Sequence, residues 1–219
     1  MSEPRQELWL IRHGETEWSA AKRHTGRTDI PLTSTGERQA VDLRKTLADQ
    51  RFSLVFCSPL ARARETCRLA GYGDVACLNE GLLEWDYGIY EGKTTQEIRQ
   101  EQLDWSIWTT SVPKGESIEQ VGRRAQRVIQ QAQNVRGDVV LFAHAHILRV
   151  LTACWLGLPP EAGRLFVLNT ASISVLGYER ETRVISRWNV SHEVKNDLPS
   201  EEEATCNVED PGCDSITKS

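Results

Sequence analysis

Two histidines, two arginines and a carboxylate are the residues here whose types suit phosphoryl transfer without a metal: Arg12, His13, Arg62, Glu84 and His144. A phosphate monoester carries about two negative charges near neutral pH. Guanidinium groups meet its oxygens through bidentate, charge-assisted hydrogen bonds. A neutral imidazole offers one ring nitrogen as nucleophile, while the other, held as a donor, fixes the tautomer. The leaving alkoxide then needs a proton, and a carboxylic acid in an apolar setting supplies one. Glu84, in Leu83-Glu84-Trp85-Asp86, has aromatic and apolar neighbours of that kind, with Asp86 as the alternative acid.

Buried strands are needed to bring such scattered residues together. Leu8-Trp9-Leu10-Ile11 is an unbroken apolar run that ends in Arg12-His13, where Gly14 releases the chain. A short apolar run bounded by a turn residue reads as a strand buried on both faces. Leu54-Val55-Phe56-Cys57 is a second such run, and Asp138 to Ala143 a third that delivers His144-Ala145-His146. Ligands of open α/β sheets sit outside the carboxyl ends of the strands, where Arg12, His13, Ser58 and His144 fall. Ser58-Pro59 is expected to start a helix carrying Arg62, with Leu60, Ala63, Cys67 and Ala70 inward and Gly71 as its stop. Capping boxes at Ser34 and Glu37, Thr94 and Glu97, and Ser117 and Gln120 open three more helices. Val75 to Leu78 reads as a further strand, and Ile173–Gly177 with Arg183–Trp188 as a hairpin at the sheet edge. The alternation predicts a three-layer α/β/α sandwich with a mostly parallel central sheet. The long loop from Glu15 to Leu32, beside the first strand end, is expected to be functional.

Bulk properties narrow the classes. The chain has 219 residues and a formal charge of −5. From Glu193 onward there are eight acidic and two basic residues, a balance of −6, which leaves +1 for the remainder. The expected organisation is one domain over 1–192 and an acidic, disordered tail over 193–219. No basic face supports nucleic-acid binding. No apolar run approaches the ~18 residues of a membrane span, and Met1-Ser2-Glu3-Pro4 is no signal-peptide start. The six cysteines lack C-x-x-C spacing, which fits a reduced, cytoplasmic protein. Cys57, Cys67 and Cys154 read as small core hydrophobes, and Cys206 and Cys213 as unpaired thiols. No metal or other cofactor is expected; the expected partner is a small phosphorylated substrate, and a homodimer is an allowed assembly. Arg64 reads as a surface arginine, His24 and His192 as solvated or loop histidines, and Trp105, Trp108 and Trp18 as packing residues.

The site residues also carry a resemblance. Arg12-His13-Gly14-Glu15-Thr16 resembles the R-H-G-E/Q-T/S signature of the histidine phosphatase (phosphoglycerate mutase-like) superfamily. In order behind it, Thr25-Gly26 precedes Asp29-Ile30-Pro31-Leu32-Thr33-Ser34-Thr35-Gly36, similar to D-x-P-L-S/T-x-x-G. Ser58-Pro59-Leu60-Ala61-Arg62-Ala63 is similar to S-x-L-x-R-A, and Leu83-Glu84 with Gly88 and Glu91-Gly92 to L-x-E-x-x-x-G-x-x-E-G. The resemblance spans roughly Leu8 to Asn189. It implies that His13 is the phosphorylated nucleophile, that Arg12, Arg62 and His144 hold the phosphoryl oxygens, and that Glu84 protonates the leaving group and then activates water. It places Ser19, Thr25, Gly26 and Ala145 as substrate-binding positions, with Ser19 where many members have Asn.

Two departures stand out. The second histidine usually sits in A-H-G, whereas here Ala145 follows His144; a turn that needs positive φ there would be strained. His146 stands where mutases commonly carry Asn. Glu84 to His144 spans only 60 positions, shorter than in cofactor-dependent mutases. Gly115-Glu116-Ser117 resembles the G-E-S of phosphatase members, and Glu84 to Gly92 the sedoheptulose-bisphosphatase-like sugar phosphatases. A metal-independent phosphatase acting on a sugar phosphate or bisphosphate is therefore the leading expectation. A phosphoglycerate mutase-type phosphotransferase and a non-catalytic phospho-ligand module are the alternatives. His144-Ala145-His146 also suggests a zinc pair, but no Asp or third His stands at ligand spacing to complete it.

Overall fold

The first apolar run divides its side chains between two cores. In β1 (Leu8–Arg12), Leu8 and Leu10 join one buried cluster, and Trp9 and Ile11 the other, as the two-residue period of a strand dictates. The structure is a computed structural model that describes residues 5–191. After β1 come α1 (Glu17–Ala20), α2 (Ser34–Leu47), β2 (Leu54–Cys57), α3 (Ala61–Leu69), β3 (Ala76–Leu78) and α4 (Thr95–Glu101). Then follow α5 (Ile118–Gln133), β4 (Val139–Ala143), α6 (Ala145–Trp155), β5 (Ile173–Glu179) and β6 (Thr182–Val190).

The six strands form one sheet in the order β3-β2-β4-β1-β5-β6. The first four in that order pair in parallel, and β5 and β6 add an antiparallel hairpin. On one face α2 and α3 bury Leu43, Leu47, Ala63 and Cys67 against Trp9, Ile11, Val140 and Phe142. On the other, α5 and α6 bury Val121, Ala125, Val128, Ile147 and Leu151 against Leu8, Leu10, Val139 and Leu141. This is the expected three-layer α/β/α sandwich with a mostly parallel sheet. No helix among the described residues is long and apolar enough to cross a membrane. Cys57, Cys67 and Cys154 are buried free thiols. His192 and the tail from 193 onward, with Cys206 and Cys213, lie outside the described residues.

The predicted boxes at α4 and α5 form as reciprocal pairs, Thr94 with Glu97 and Ser117 with Gln120. Two helix starts differ from expectation. Thr33, not Ser34, caps α2, its hydroxyl accepting from the Gly36 N–H, and Glu37 does not reach back. The reason is a contact distant in sequence: the Thr33 N–H already donates to the Glu15 carbonyl at 2.9 Å. The loop behind β1 also packs backbone to backbone on the start of α2, where Gly14 and Gly36 leave no room for a β-carbon. The start of α3 falls at Ala61 rather than at Ser58-Pro59. Pro59 disfavours helical geometry for Ser58, whose N–H instead continues the sheet by donating to Phe142 at 2.9 Å. The 15–32 loop contains the short α1, closed by a capping box between Thr16 and Ser19.

Register aligns the site. Arg12 pairs with Ala143 across β1 and β4, and Cys57 with Phe142 across β2 and β4. His13, Ser58 and His144 therefore leave the sheet side by side.

Candidate active site

His13 is buried at the end of β1, with Nδ1 2.7 Å from the carbonyl of Gly14. A carbonyl only accepts, so Nδ1 carries the proton and Nε2 keeps its lone pair. Burial, reinforced by the charges of Arg12 and Arg62, holds its pKa well below the ordinary histidine value. The ring is thus neutral and tautomerically fixed, as a nitrogen nucleophile requires. The His144 ring stands beside it, 5.2 Å between centroids.

Arg62 is fully buried on α3, and Arg64 beside it is exposed as expected. Its Nε donates to His144 Nδ1 at 3.1 Å, Nη1 to Thr28 O at 2.9 Å, and Nη2 to Thr25 O at 3.2 Å and Gly26 O at 2.9 Å. Because His144 Nδ1 accepts, its Nε2 carries the proton and donates to Ser58 Oγ at 2.7 Å. Arg12 donates to the Leu168 carbonyl at 2.6 Å, while its buried Nε has no partner. Burial lowers the Arg12 pKa to about 10, against the raising effect of Glu84, so the cation persists at neutral pH. Neither arginine has a carboxylate within ion-pair distance among the described residues. A buried cation without a counter-charge is costly to keep, and an incoming phosphoryl group offsets that cost.

Glu84 is buried, but its neighbourhood is less apolar than its sequence neighbours suggest. Three main-chain N–H groups point at its carboxylate: Trp85 and Ile147 on Oε1, both at 2.9 Å, and His146 on Oε2 at 3.0 Å. Two of them belong to the first turn of α6. The loop carrying Glu84 is tied down by Arg124 of α5, which donates to Gly81 O and Leu83 O at 2.8 Å and to Glu84 O at 3.4 Å. Arg124 also forks onto Glu116 at 2.8 and 2.9 Å. Burial would raise the Glu116 pKa, but the bonds and charge of Arg124 outweigh it and hold the carboxyl below its ordinary value. Glu116 in turn receives the Asp86 N–H at 3.0 Å and, through its carbonyl, the Trp85 indole N–H at 2.8 Å. Asp86, the alternative acid, closes a turn on the Gly88 N–H. A sequence signal for Arg124 exists: it follows Val121 by three and precedes Val128 by four, the buried stripe of α5.

A cleft of about 310 Å³ opens over these groups, lined by Arg12, His13, Ser19, Thr25, Glu84 and Ala145 among others. Gly26, Arg62 and His144 do not line it. Gly26 has a backbone role, since a β-carbon there would come within 2.5 Å of Trp85 O. The Ser19 hydroxyl donates to Thr16 O at 2.9 Å and closes α1. The strain considered for Ala145 does not arise. His144 is the extended N-cap of α6, and Ala145 is its first residue, at ordinary negative φ. A larger hollow of about 680 Å³ between α3 and β3 holds none of the strand-end polar groups.

The wall holds residues that local pattern did not mark: Lys22, Arg23, Tyr87 and Arg149. His24 is a loop residue, one of the two placements expected of it, but it is not solvated: it lines the cleft, packed on Tyr87 and Trp105, and burial takes its pKa to about 4. The Tyr87 hydroxyl lies 2.6 Å from His146 Nδ1, and burial raises the phenol and lowers the imidazole, so both are neutral. The 4.0 Å approach of His146 to Glu84 is therefore no ion pair. The zinc alternative also loses its pair: His144 faces Arg62 and Ser58, and His146 faces Tyr87. No three His, Cys, Asp or Glu side chains converge for a metal among the described residues. Trp105 and Trp108 are buried packing residues, as expected.

A tautomer-locked imidazole, arginines without counter-ions and a carboxylate at the strand ends of an α/β sandwich define a phosphoryl-handling enzyme. The chain belongs to the histidine phosphatase superfamily (branch 1), whose profile matches residues 8–191. It is 41% identical over 186 residues to an acid phosphatase of Mycobacterium tuberculosis, covering 82% of this chain and 90% of that one. It is 35% identical over 181 residues to the sedoheptulose 1,7-bisphosphatase of Saccharomyces cerevisiae, covering 68% and 67%. The solved structure of a Mycobacterium tuberculosis open reading frame product superposes with a TM-score of 0.81 at 38% identity, covering 85% of this chain and 98% of that one. The protein is a phosphatase of the histidine type.

Proposed function

We propose that the enzyme hydrolyses phosphomonoesters of small metabolites, sugar phosphates or bisphosphates foremost, through a phosphohistidine on His13 and without a metal. The observation that carries this reading is the His13 ring, neutral and locked by Gly14 beside two arginines that lack counter-ions. His13 Nε2 attacks phosphorus as the ester P–O bond breaks, and Glu84 gives its proton to the departing oxygen. Its Oε2, with one N–H donor against two on Oε1, has the spare lone pair for that proton. Water then attacks the phosphohistidine, Glu84 takes its proton, the N–P bond breaks and phosphate leaves. Arg12 and Ala145, which line the cleft beside His13, meet the phosphoryl oxygens, while Arg62 and His144 hold the pocket and its positive potential. The names of the relatives, acid phosphatase and sedoheptulose 1,7-bisphosphatase, support the substrate class. The free thiols favour the cytoplasm.

The test is a phosphate-release screen over sugar phosphates, bisphosphates and phosphoglycerates, run with EDTA and with His13→Ala as control. Release that survives EDTA, with acid-labile phosphate on wild-type protein and none on His13→Ala, is expected. Full activity in His13→Ala refutes the mechanism. Phosphoglycerate isomerisation without release identifies a mutase, and silence across the panel a binding module.

A further inference from the structure

Arg149 is a cation that the phosphoryl chemistry leaves unused. It projects from α6 into the cleft, half-buried, with its guanidinium 4.5 Å over the Trp108 ring. Its Nε donates to Gly163 O at 3.1 Å and Nη2 to Arg164 O at 3.4 Å. Two of its five N–H groups are thus accounted for, and the stacking and the two carbonyls fix the plane of the fork. No carboxylate pairs with it among the described residues, whereas Arg23, Arg27, Arg68 and Arg124 each have one. Lys22, at the end of α1, lines the same cleft and has neither a side-chain hydrogen bond nor an ion pair among the described residues. The charged lining is therefore Arg12, Lys22, Arg23 and Arg149 against Glu84 alone. One phosphoryl group beside His13 answers Arg12; Arg23 is already held by Glu97 and by Gly92 O. Arg149 and Lys22 remain.

We propose that Arg149 and Lys22 form a second anion subsite, so that the preferred substrate is a phosphomonoester carrying a further phosphate or carboxylate. This rests on the phosphatase reading of His13 and names which members of that substrate class the cleft selects. A stacked, planar guanidinium with open N–H groups suits bidentate capture of either oxyanion. Val167 and Leu168 give the cleft an apolar wall for the carbon skeleton between. The volume of about 310 Å³ lies at the small end of ligand pockets and suits a metabolite of sugar size.

Binding measured without turnover separates this subsite from the reaction. Titration calorimetry on His13→Ala protein compares fructose 6-phosphate with fructose 1,6-bisphosphate, and glycerol 3-phosphate with 3-phosphoglycerate. Within at least one pair the ligand with two anionic groups is expected to bind roughly tenfold tighter. The pair that discriminates identifies phosphate or carboxylate as the second group. Adding Arg149→Met should bring the ratio towards one, and Arg149→Lys should restore part of it. Equal affinity within both pairs, absence of binding, or an Arg149→Met ratio that matches that of the parent overturns the subsite. If the ratio behaves as expected but wild-type protein releases no phosphate from any of the four, the hydrolytic reading fails and the subsite stands.

Discussion

Replacing Arg62 by methionine keeps roughly the volume of the side chain and removes its guanidinium. The structure assigns that group four hydrogen bonds, to His144 Nδ1 and to the carbonyls of Thr25, Gly26 and Thr28. Each acceptor left without a donor costs about 1–3 kcal/mol when buried. The four are not independent, because the loop holding three of them can relax together and admit water. A net loss of about 4 kcal/mol is therefore expected, in line with the range for removing one member of a buried charged network. For a domain of this size that lowers Tm by about 10 °C. Activity should fall further than stability explains. Without Arg62 the His144 ring loses the donor that sets its tautomer, and the pocket loses a buried charge, together worth about 3–4 kcal/mol in the transition state, or several hundredfold in kcat/KM. Differential scanning calorimetry and kcat/KM for p-nitrophenyl phosphate measure the two effects at a temperature where both proteins are folded. Arg62→Lys should recover little, since one ammonium cannot reach four acceptors spread over a planar fork. A variant that melts within about 2 °C of wild type, with kcat/KM within threefold, would refute the account of Arg62 as the tie between loop and imidazole.

Arg124→Met should lower kcat by one to two orders of magnitude with little change in KM, because Arg124 holds the Glu84 loop without lining the cleft. An equal rise in KM, found by steady-state kinetics, would place its effect in substrate binding instead. Stability should decline with acid. Burial lowers the pKa values of His13, His144 and His146 well below the ordinary histidine value, and that of His24 to about 4. These rings stay neutral in the fold, while the unfolded chain takes up protons below about pH 6.5. Stability is therefore full above that pH and is lost as pH falls, by up to about 1.4 kcal/mol per unit for each ring. Tm followed from pH 8 to pH 5 should fall with increasing slope, and a flat profile contradicts the burial of neutral histidines. For the same reason the acid limb of kcat/KM should lie below pH 6.5.

The parts of the molecule that follow from local chemistry are legible in the sequence. Unbroken apolar runs at 8–11, 54–57 and 139–143 became strands because helices cover both faces of the sheet. Reciprocal side-chain pairs at Thr94 and Ser117 marked helix starts because the capping geometry needs only three residues. The Thr33 cap is not legible in the sequence because it depends on Glu15, eighteen residues away, which takes its N–H. The Glu84 surroundings are only partly legible for a similar reason. Its sequence neighbours are apolar and the Trp85 N–H is local, but the other two N–H groups on its carboxylate come from residues 146 and 147 at the start of another helix. Arg124 was visible as a cation on an apolar stripe, although its partners Gly81 and Leu83 were not. Arg149, Lys22 and His24 carry no local mark, since only the fold brings α6 and the loop after α1 to one cleft.

The distance between the two imidazoles has a further meaning. The rings stand 5.2 Å apart, close to the ~4.8 Å that separates hydrogen-bonded strands, and their parent strands are adjacent and in register. The spacing of the two imidazoles therefore follows from the same ladder that holds the sheet together. The rest of the cleft lining, with Lys22, Tyr87, Arg149, Val167 and Leu168, lies outside that ladder. Such a layout lets selectivity drift from one metabolite to another while the phosphorus atom always arrives at the same place.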